Sequence, residues 1–507
     1  MTMPTAAQIE AAVALPTFVV QVHNGTSYDD VSADVVSVEG EYQSGSSSDD
    51  GIGFGLAPAP SQSITFAREQ ISRSWDNRAI KTSLGFNSVN PLHFIGIINE
   101  AEHHRLGGSW RASGYQDLIA ATPEVRTGLY YRRPLFTATS AVSNENPDAG
   151  GATGIGNILL WRAGGRPYAQ SATYPTATFY YEASVSIMAP EWSWLNGGDA
   201  AQALDELCKT AGGVLFQGTD GVVRYQEPMV LGVGTPTIHY TDNVSAASAA
   251  TRAASALAQY GDIRRVGKTR RQVVDVVRCA FVVRKLQGVQ QVYSDTTTRM
   301  IEASSALVIT LDITLPIYRV SRVVATGYTM RSTRETTTSE LTVSIGTTYA
   351  QQVSVTLTNT LTEPVGVSAL TVFAMPLVAM EEGTATYGTP GTPPRSYAVP
   401  DSVYIQSKSY ADRLCRMYYD FYGTARPVVE LTGCGYDPRR YLGEIVTLTD
   451  SVLGISAVSH RVIGISVSRT GVEMTLRLVS VAGLPVSTDF FDLGTSYADA
   501  NSRQLVY

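Results

Sequence analysis

WSWLNGGDAAQALDELCKTAGGVLFQGTDGVVRYQE, residues 192–227, encodes a helix followed by a hairpin, since three local rules agree along it without a gap. Asp199 is a good N-cap, and Gln202 stands three residues later, at the spacing of a capping box. Ala200, Ala203, Leu204, Leu207, Cys208 and Ala211 then recur at helical spacing and form one apolar stripe. Gly212 and Gly213 stop the helix, since a glycine just past the last turn takes the left-handed conformation without a Cβ clash. A strand over 214–216, a turn at Gly218-Thr219-Asp220-Gly221 and a return strand over 222–226, with Val223 and Tyr225 on one face, complete a hairpin. Nothing here is catalytic, and the stripe needs a partner surface. The candidate packing or interface residues are Leu204, Leu207, Cys208, Trp192 and Trp194, with Trp161 in the segment GNILLW, where Leu159 and Leu160 also lie.

A chain of 507 residues is too long for one core, so several domains are expected. Abundant Gly, Ser and Thr favour β structure with many turns. A formal net charge of −7 argues against a dedicated duplex-DNA binder. Cys208, Cys279, Cys415 and Cys434 lie far apart with no CxxC pair, so buried free thiols are expected and no zinc knuckle. No signal peptide and no run of about 20 apolar residues is visible, which points to folding in a cytoplasm.

Read in order, residues 1–16 are an N-terminal helix or arm, with the helix over 5–14. Residues 17–123 form a first β domain: TFVVQV, the turn at His23-Asn24-Gly25-Thr26, VSADVVSVEGEYQ, strand pieces at 63–66 and 92–98, and a helix over 115–121. Its loop 44–51 carries Asp49 and Asp50, read as solvated. Residues 124–240 form a mixed α/β domain with a loop at 144–154 and a short helix within 156–167. A second β domain is split into 241–300 and 379–485. It holds an Ala-rich linker or weak helix over 239–260, a strand over 273–283, an extended linker over 381–400, and a helix with Ser409 and Asp412 at box spacing. That helix carries the stripe Tyr410, Leu414, Met417, Tyr418 and Phe421 and ends at Gly423. A long hairpin then turns at Arg469-Thr470-Gly471. Between the halves, 301–378 is an inserted β-sandwich, in which Leu307, Ile309, Leu311, Ile313 and Leu315 share one face, and Val353, Val355, Leu357, Leu370 and Val372 point inward. Residues 486–507 are a C-terminal arm. The fold class is mainly β (α+β), with two β-barrel domains, a small mixed helix/hairpin domain and the inserted sandwich.

Chemistry is sparse. His103 and His104 beside Glu100 and Glu102 lack zinc-protease spacing, there is no GxSxG, and the glycines of 156–167 fit neither GxGxxG after a strand nor a P-loop. Paired carboxylates such as Asp49/Asp50 and Glu381/Glu382 are loop neighbours with no visible means of separating their pKa values. No catalytic residue, cofactor or metal site is assigned. The dense basic patch is Arg264, Arg265, Lys268, Arg270 and Arg271. It could face nucleic acid or an acidic partner, although a solvated edge guarding a sheet is the preferred reading.

The order of pieces says more than any residue. A β domain precedes a helix and AGGVLFQGTDGVVRYQEP; a β domain with an insertion, the lead-in VYIQSKSYADRL, the phrase PRRYLGEIVTLTDSVLGI and a closing RVIGISVS hairpin follow. This order resembles the tail or baseplate hub family of tailed bacteriophages over about 17–480. The resemblance implies a homotrimer whose two barrels per chain alternate around the axis as a pseudo-sixfold ring. It implies a virion protein at the tail tip, not an enzyme, contacting tail tube or distal tail protein, tape measure protein and tip fibre or spike proteins. DNA would be met only in transit; three copies sum to 3 × −7 = −21, suited to a channel that does not retain it. Two other classes stay open: an adhesin binding a host surface glycan through the insertion, and a cell-wall hydrolase.

Overall fold

The computed structural model describes residues 16–43, 54–67, 75–86, 90, 92–104, 107–138, 153–168, 179–183, 189–226, 236–242, 257–266, 273–424, 426, 428–437, 439–467 and 473–481. The expected helix over 5–14, the loop 44–51, most of the loop 144–154, most of the Ala-rich segment, the turn at 469–471, the C-terminal arm, and Lys268, Arg270 and Arg271 lie outside the described residues. The chain is mostly β, with four α-helices among those residues: α1 Gln116–Ala120, α2 Ile155–Arg162, α3 Ala200–Ala211 and α4 Lys408–Tyr422. No described helix is long and apolar enough to cross a membrane.

Both stretches read as separate barrels contribute to one 14-stranded sheet, and no closed barrel forms among the described strands. The N-terminal group runs Val35–Gln43, Ser61–Phe66, Gly107–Ser113, Leu92–His104, Ala79–Phe86, Pro16–His23 and Tyr28–Asp30 in spatial order. The C-terminal group holds His239–Thr241, Leu257–Gln259, Asp262–Val266, Val428–Gly435, Ile445–Asp450, Ile455–Val467 and Glu473–Ser480. They meet where Gly40, Glu41, Tyr42 and Gln43 pair antiparallel with Val467, Ser466, Ile465 and Gly464. One apolar core runs through both groups, from Val20, Ile64 and Trp110 to Leu431, Val446 and Leu476. The expected closing hairpin is present, Val462 opposite Leu478 and Val467 opposite Met474.

The mixed domain is a five-stranded sheet in the order Gly165–Pro167, Phe179–Ala183, Val223–Gln226, Val214–Gln217, Gly55–Leu56, packed on α2 and α3. Its last strand is lent by the N-terminal group. Gly55, at φ 120, is held there because any Cβ would fall 2.3 Å from Asp205 Oδ1, which itself accepts the Leu56 N–H at 2.9 Å.

The insertion hangs on a long ribbon. Strand Val365–Gly388, 24 residues and roughly 80 Å at the usual rise per residue, pairs near its end with Val276–Leu286. The linker expected over 381–400 is therefore strand as far as Gly388. Glu381–Gly388 pairs with Val276–Val283, and Gly383 leaves room for the Phe281 ring, which a Cβ would approach to 2.5 Å. Beyond the ribbon, Gln290–Asp295, Arg299–Ile301 and Ile317–Thr329 also pair with the long strand, and Ala306–Asp312, Gln352–Asn359 and Leu341–Tyr349 form a second sheet. The two share a core in which Leu311, Ile313, Val353, Val355, Leu357, Leu370 and Val372 are buried. Leu315 departs from the expectation: the strand ends at Asp312, alternation lapses, and Leu315 is 37 % exposed.

Candidate functional site

The hairpin 214–226 is the site where the large sheet and the mixed domain meet. Its first strand is buried at every position, because successive side chains of a strand point to opposite faces and here each face meets a different core. Val214 and Phe216 enter the core of the large sheet, whereas Leu215, Val223 and Tyr225 enter that of the mixed domain. Gln217 ties the end down, its Oε1 accepting the Tyr115 N–H at 2.6 Å and its Nε2 donating to Ile95 O at 2.7 Å. The turn is fixed by Asp220, which accepts two bonds of 2.7 Å from the Arg224 guanidinium.

Helix α3 is locked at both ends. Asp199 Oδ1 accepts the Gln202 N–H at 2.8 Å, and Gly212, at φ 70, closes the C-terminus with Gly213 N–H donating to Cys208 O at 2.8 Å. Two of the last carbonyls accept from α4: Tyr418 Oη donates to Lys209 O at 3.0 Å and Tyr410 Oη to Thr210 O at 2.7 Å. Helix α4 buries its expected stripe, but its N-cap is Ser407, whose Oγ accepts the Tyr410 N–H at 3.2 Å. The Ser409/Asp412 box is not used; Asp412 instead pairs with Lys408 on the exposed face, at 2.8 Å.

Leu204, Leu207 and Cys208 are fully buried and share a core with Leu159 and Leu160 of α2. Trp161 turns out of that core; it is half-buried, with the Arg166 guanidinium 4.5 Å above its ring. Trp192 and Trp194 bind a different neighbour. They cluster with Leu129 and with Ala350 and Leu377 at the base of the insertion. Gln406 brackets Trp192, accepting its N–H at 2.9 Å and donating to its carbonyl at 2.8 Å, and Tyr318 meets its ring edge-on at 5.7 Å. Arg264 is exposed on strand Asp262–Val266, in register with Glu430; Arg265 follows on the same strand, opposite Val429. His103 and His104 close strand Leu92–His104 opposite Gly108 and Gly107. All four cysteines are buried and free.

Two polar clusters escaped the sequence reading: the first lies within one loop whose charges carry no recognisable motif, and the second joins residues distant in the chain. In the loop CGYDPRRYLGE, Asp437 takes a bidentate contact from Arg439 at 2.9 and 2.8 Å and lies 3.3 Å from Arg440, which also pairs with Glu444; Thr237 donates to Glu444. Burial pushes the Asp437 carboxyl up, but the two arginines hold it below its ordinary range; burial keeps Glu444 above its own in spite of Arg440. The second is at the seam of the large sheet, where His93 Nδ1 lies 3.2 Å from Tyr436 Oη and its carbonyl accepts from Tyr42 Oη at 2.6 Å.

A cleft of about 680 Å³ between α3 and the ribbon is lined by Glu206, Arg284, Glu382 and Asp401 over Phe281, with no His, Cys or Lys in its wall. Among the described residues no group of three or more His, Cys, Asp or Glu is placed to hold a metal. The described arrangement is one of joints.

No protein-family model matches the chain, and no curated protein sequence matches it. Solved structures do. A tail protein from Neisseria meningitidis MC58 is 10 % identical, covers 93 % of this chain and 98 % of its own, and superposes with a TM-score of 0.47. The 43 kDa tail protein of prophage MuSo2 from Shewanella oneidensis is 8 % identical, with 92 % and 99 % covered and a TM-score of 0.46. A type VI secretion system component of E. coli, described as similar in structure to phage T4 tail proteins, is also 8 % identical, with 91 % and 76 % covered and a TM-score of 0.39. Over nine-tenths of its length, then, the chain is similar to phage tail proteins and to one tail-like secretion component.

Proposed function

We propose that the chain is a structural protein of a phage tail, forming a trimeric hub at the tail tip. The observation that carries this reading is the large sheet: two β groups side by side in one chain, fused through residues 40–43 and 464–467, so that three copies offer six comparable modules to a sixfold tube. In this reading the first module is 17–123, the second is 241–300 with 379–485, and 124–240 is the spacer between them. The ring adapts the tail tube or distal tail protein to threefold tip components, contacts the tape measure protein and tip fibres or spike, and lets DNA pass. Native mass spectrometry and negative-stain averages of purified protein test it. A trimer with a ring-shaped projection is expected; a monomer at micromolar concentration would sink the reading.

An adhesive role for the insertion is favoured by one observation: apart from Ala350 and Leu377 at its base, the apolar residues buried within 301–378 share a core of their own beyond the ribbon. Deleting residues 301–378 while keeping the ring would abolish adsorption to host cells if they carry receptor contacts, and unchanged adsorption removes that role.

A further inference from the structure

Arg461 is 3 % exposed, on strand Ile455–Val467 where the large sheet abuts the end of the mixed-domain hairpin. Its Nη2 donates to Gln226 Oε1, and its Nη1 is buried without a hydrogen-bond partner among the described residues. Among those residues no carboxylate pairs with it. Burial alone acts on the guanidinium, pushing its pKa down to about 9, with no counter-charge opposing. Arg440, 7 % exposed, differs in having two carboxylates, Asp437 and Glu444, against it. Buried charges in folded proteins are paired, and a buried polar atom left over calls for an explanation. Gly443, at φ 87, packs close against the pair; a Cβ there would stand 3.0 Å from both Arg461 Nη2 and Gln226 Oε1.

We propose that Arg461, with Gln226 and Gly443, forms a socket for one oxyanion, of the carboxylate or phosphate type. A planar guanidinium presents its donors as a fork that matches two oxygens of such a group. The oxyanion arrives either free or on a carboxylate of a second copy of this chain. The socket does not depend on the tail reading.

The test is thermal unfolding of the full purified chain in chloride buffer at pH 7, with and without sodium phosphate at matched ionic strength and at two protein concentrations. Wild type, Arg461→Met and Arg461→Lys are compared. A free oxyanion gives wild type a saturable rise in Tm with phosphate; a carboxylate from a second copy gives a rise with protein concentration to which phosphate adds nothing. The response is lost in Arg461→Met and weakened in Arg461→Lys. A wild-type Tm indifferent to both variables, or a response kept in full by Arg461→Met, overturns the proposal.

Discussion

His93 sets a pH dependence at the seam. It is 4 % exposed, and burial pushes its pKa down to about 3, against about 6.5 in an unfolded chain. Between those values the unfolded chain binds a proton that the folded one refuses, so stability rises with pH there. The contribution is complete above about pH 6.5 and is lost as pH falls toward 3, by at most about 1.4 kcal/mol per pH unit. Urea denaturation from pH 7 to 4 should show a shallower pH slope for His93→Gln than for wild type; equal slopes would remove His93 as the cause. Leucines give a sharper contrast. Leu204→Ala should cost about 2–5 kcal/mol in the same assay, because its site is closed on every side. Leu315→Ala should stay within about 0.5 kcal/mol. Spacing alone reads both as core residues, and only the early end of a strand distinguishes them. The Leu204 stripe was legible because a helix repeats locally. His93 was not, since its partner Tyr436 is 343 residues away.

At the level of elements, helices α3 and α4 are one device in two pieces. The tyrosines of α4 donate to carbonyls in the last turn of α3, while the Phe54 ring meets Tyr418 and Phe421 at a tilt and Tyr422 edge-on. Removing the Tyr410 hydroxyl leaves the buried Thr210 carbonyl short of a donor, whereas Lys209 O keeps the Gly212 N–H at 3.2 Å. Tyr410→Phe should lower stability by about 1–3 kcal/mol and Tyr418→Phe by less, measured by chemical denaturation, with helicity by circular dichroism unchanged. A loss under 0.5 kcal/mol for both would mean that water replaces the hydroxyls. Each helix was legible from its stripe and stop glycine, but their mutual capping lies in no local pattern. The ribbon was misread for a related reason. The stretch EEGTATYG has the Gly and Thr of a linker, and the strand it pairs with begins more than 100 residues earlier.

For the whole molecule, the order of pieces was readable and their fusion was not, because edge pairing between distant strands leaves no trace in periodicity. The shared core makes the two β groups a single cooperative unit. Native-state hydrogen exchange should therefore give amides of Ile64 and Leu476 the same opening free energy; two values differing by more than about 1 kcal/mol would show that the groups open separately. The insertion, with its own core, should exchange as a second unit. Its tether has a mechanical consequence. Both strands of the ribbon, Val276–Leu286 outgoing and Leu377–Gly388 returning, are anchored on the same side against α4. A pull on the insertion therefore stretches two covalent backbones in parallel, like twin cables, and does not unzip the bonds between them. Such a tether resists load along its length and bends under load across it, so a force at the far end reaches the body as tension on α4.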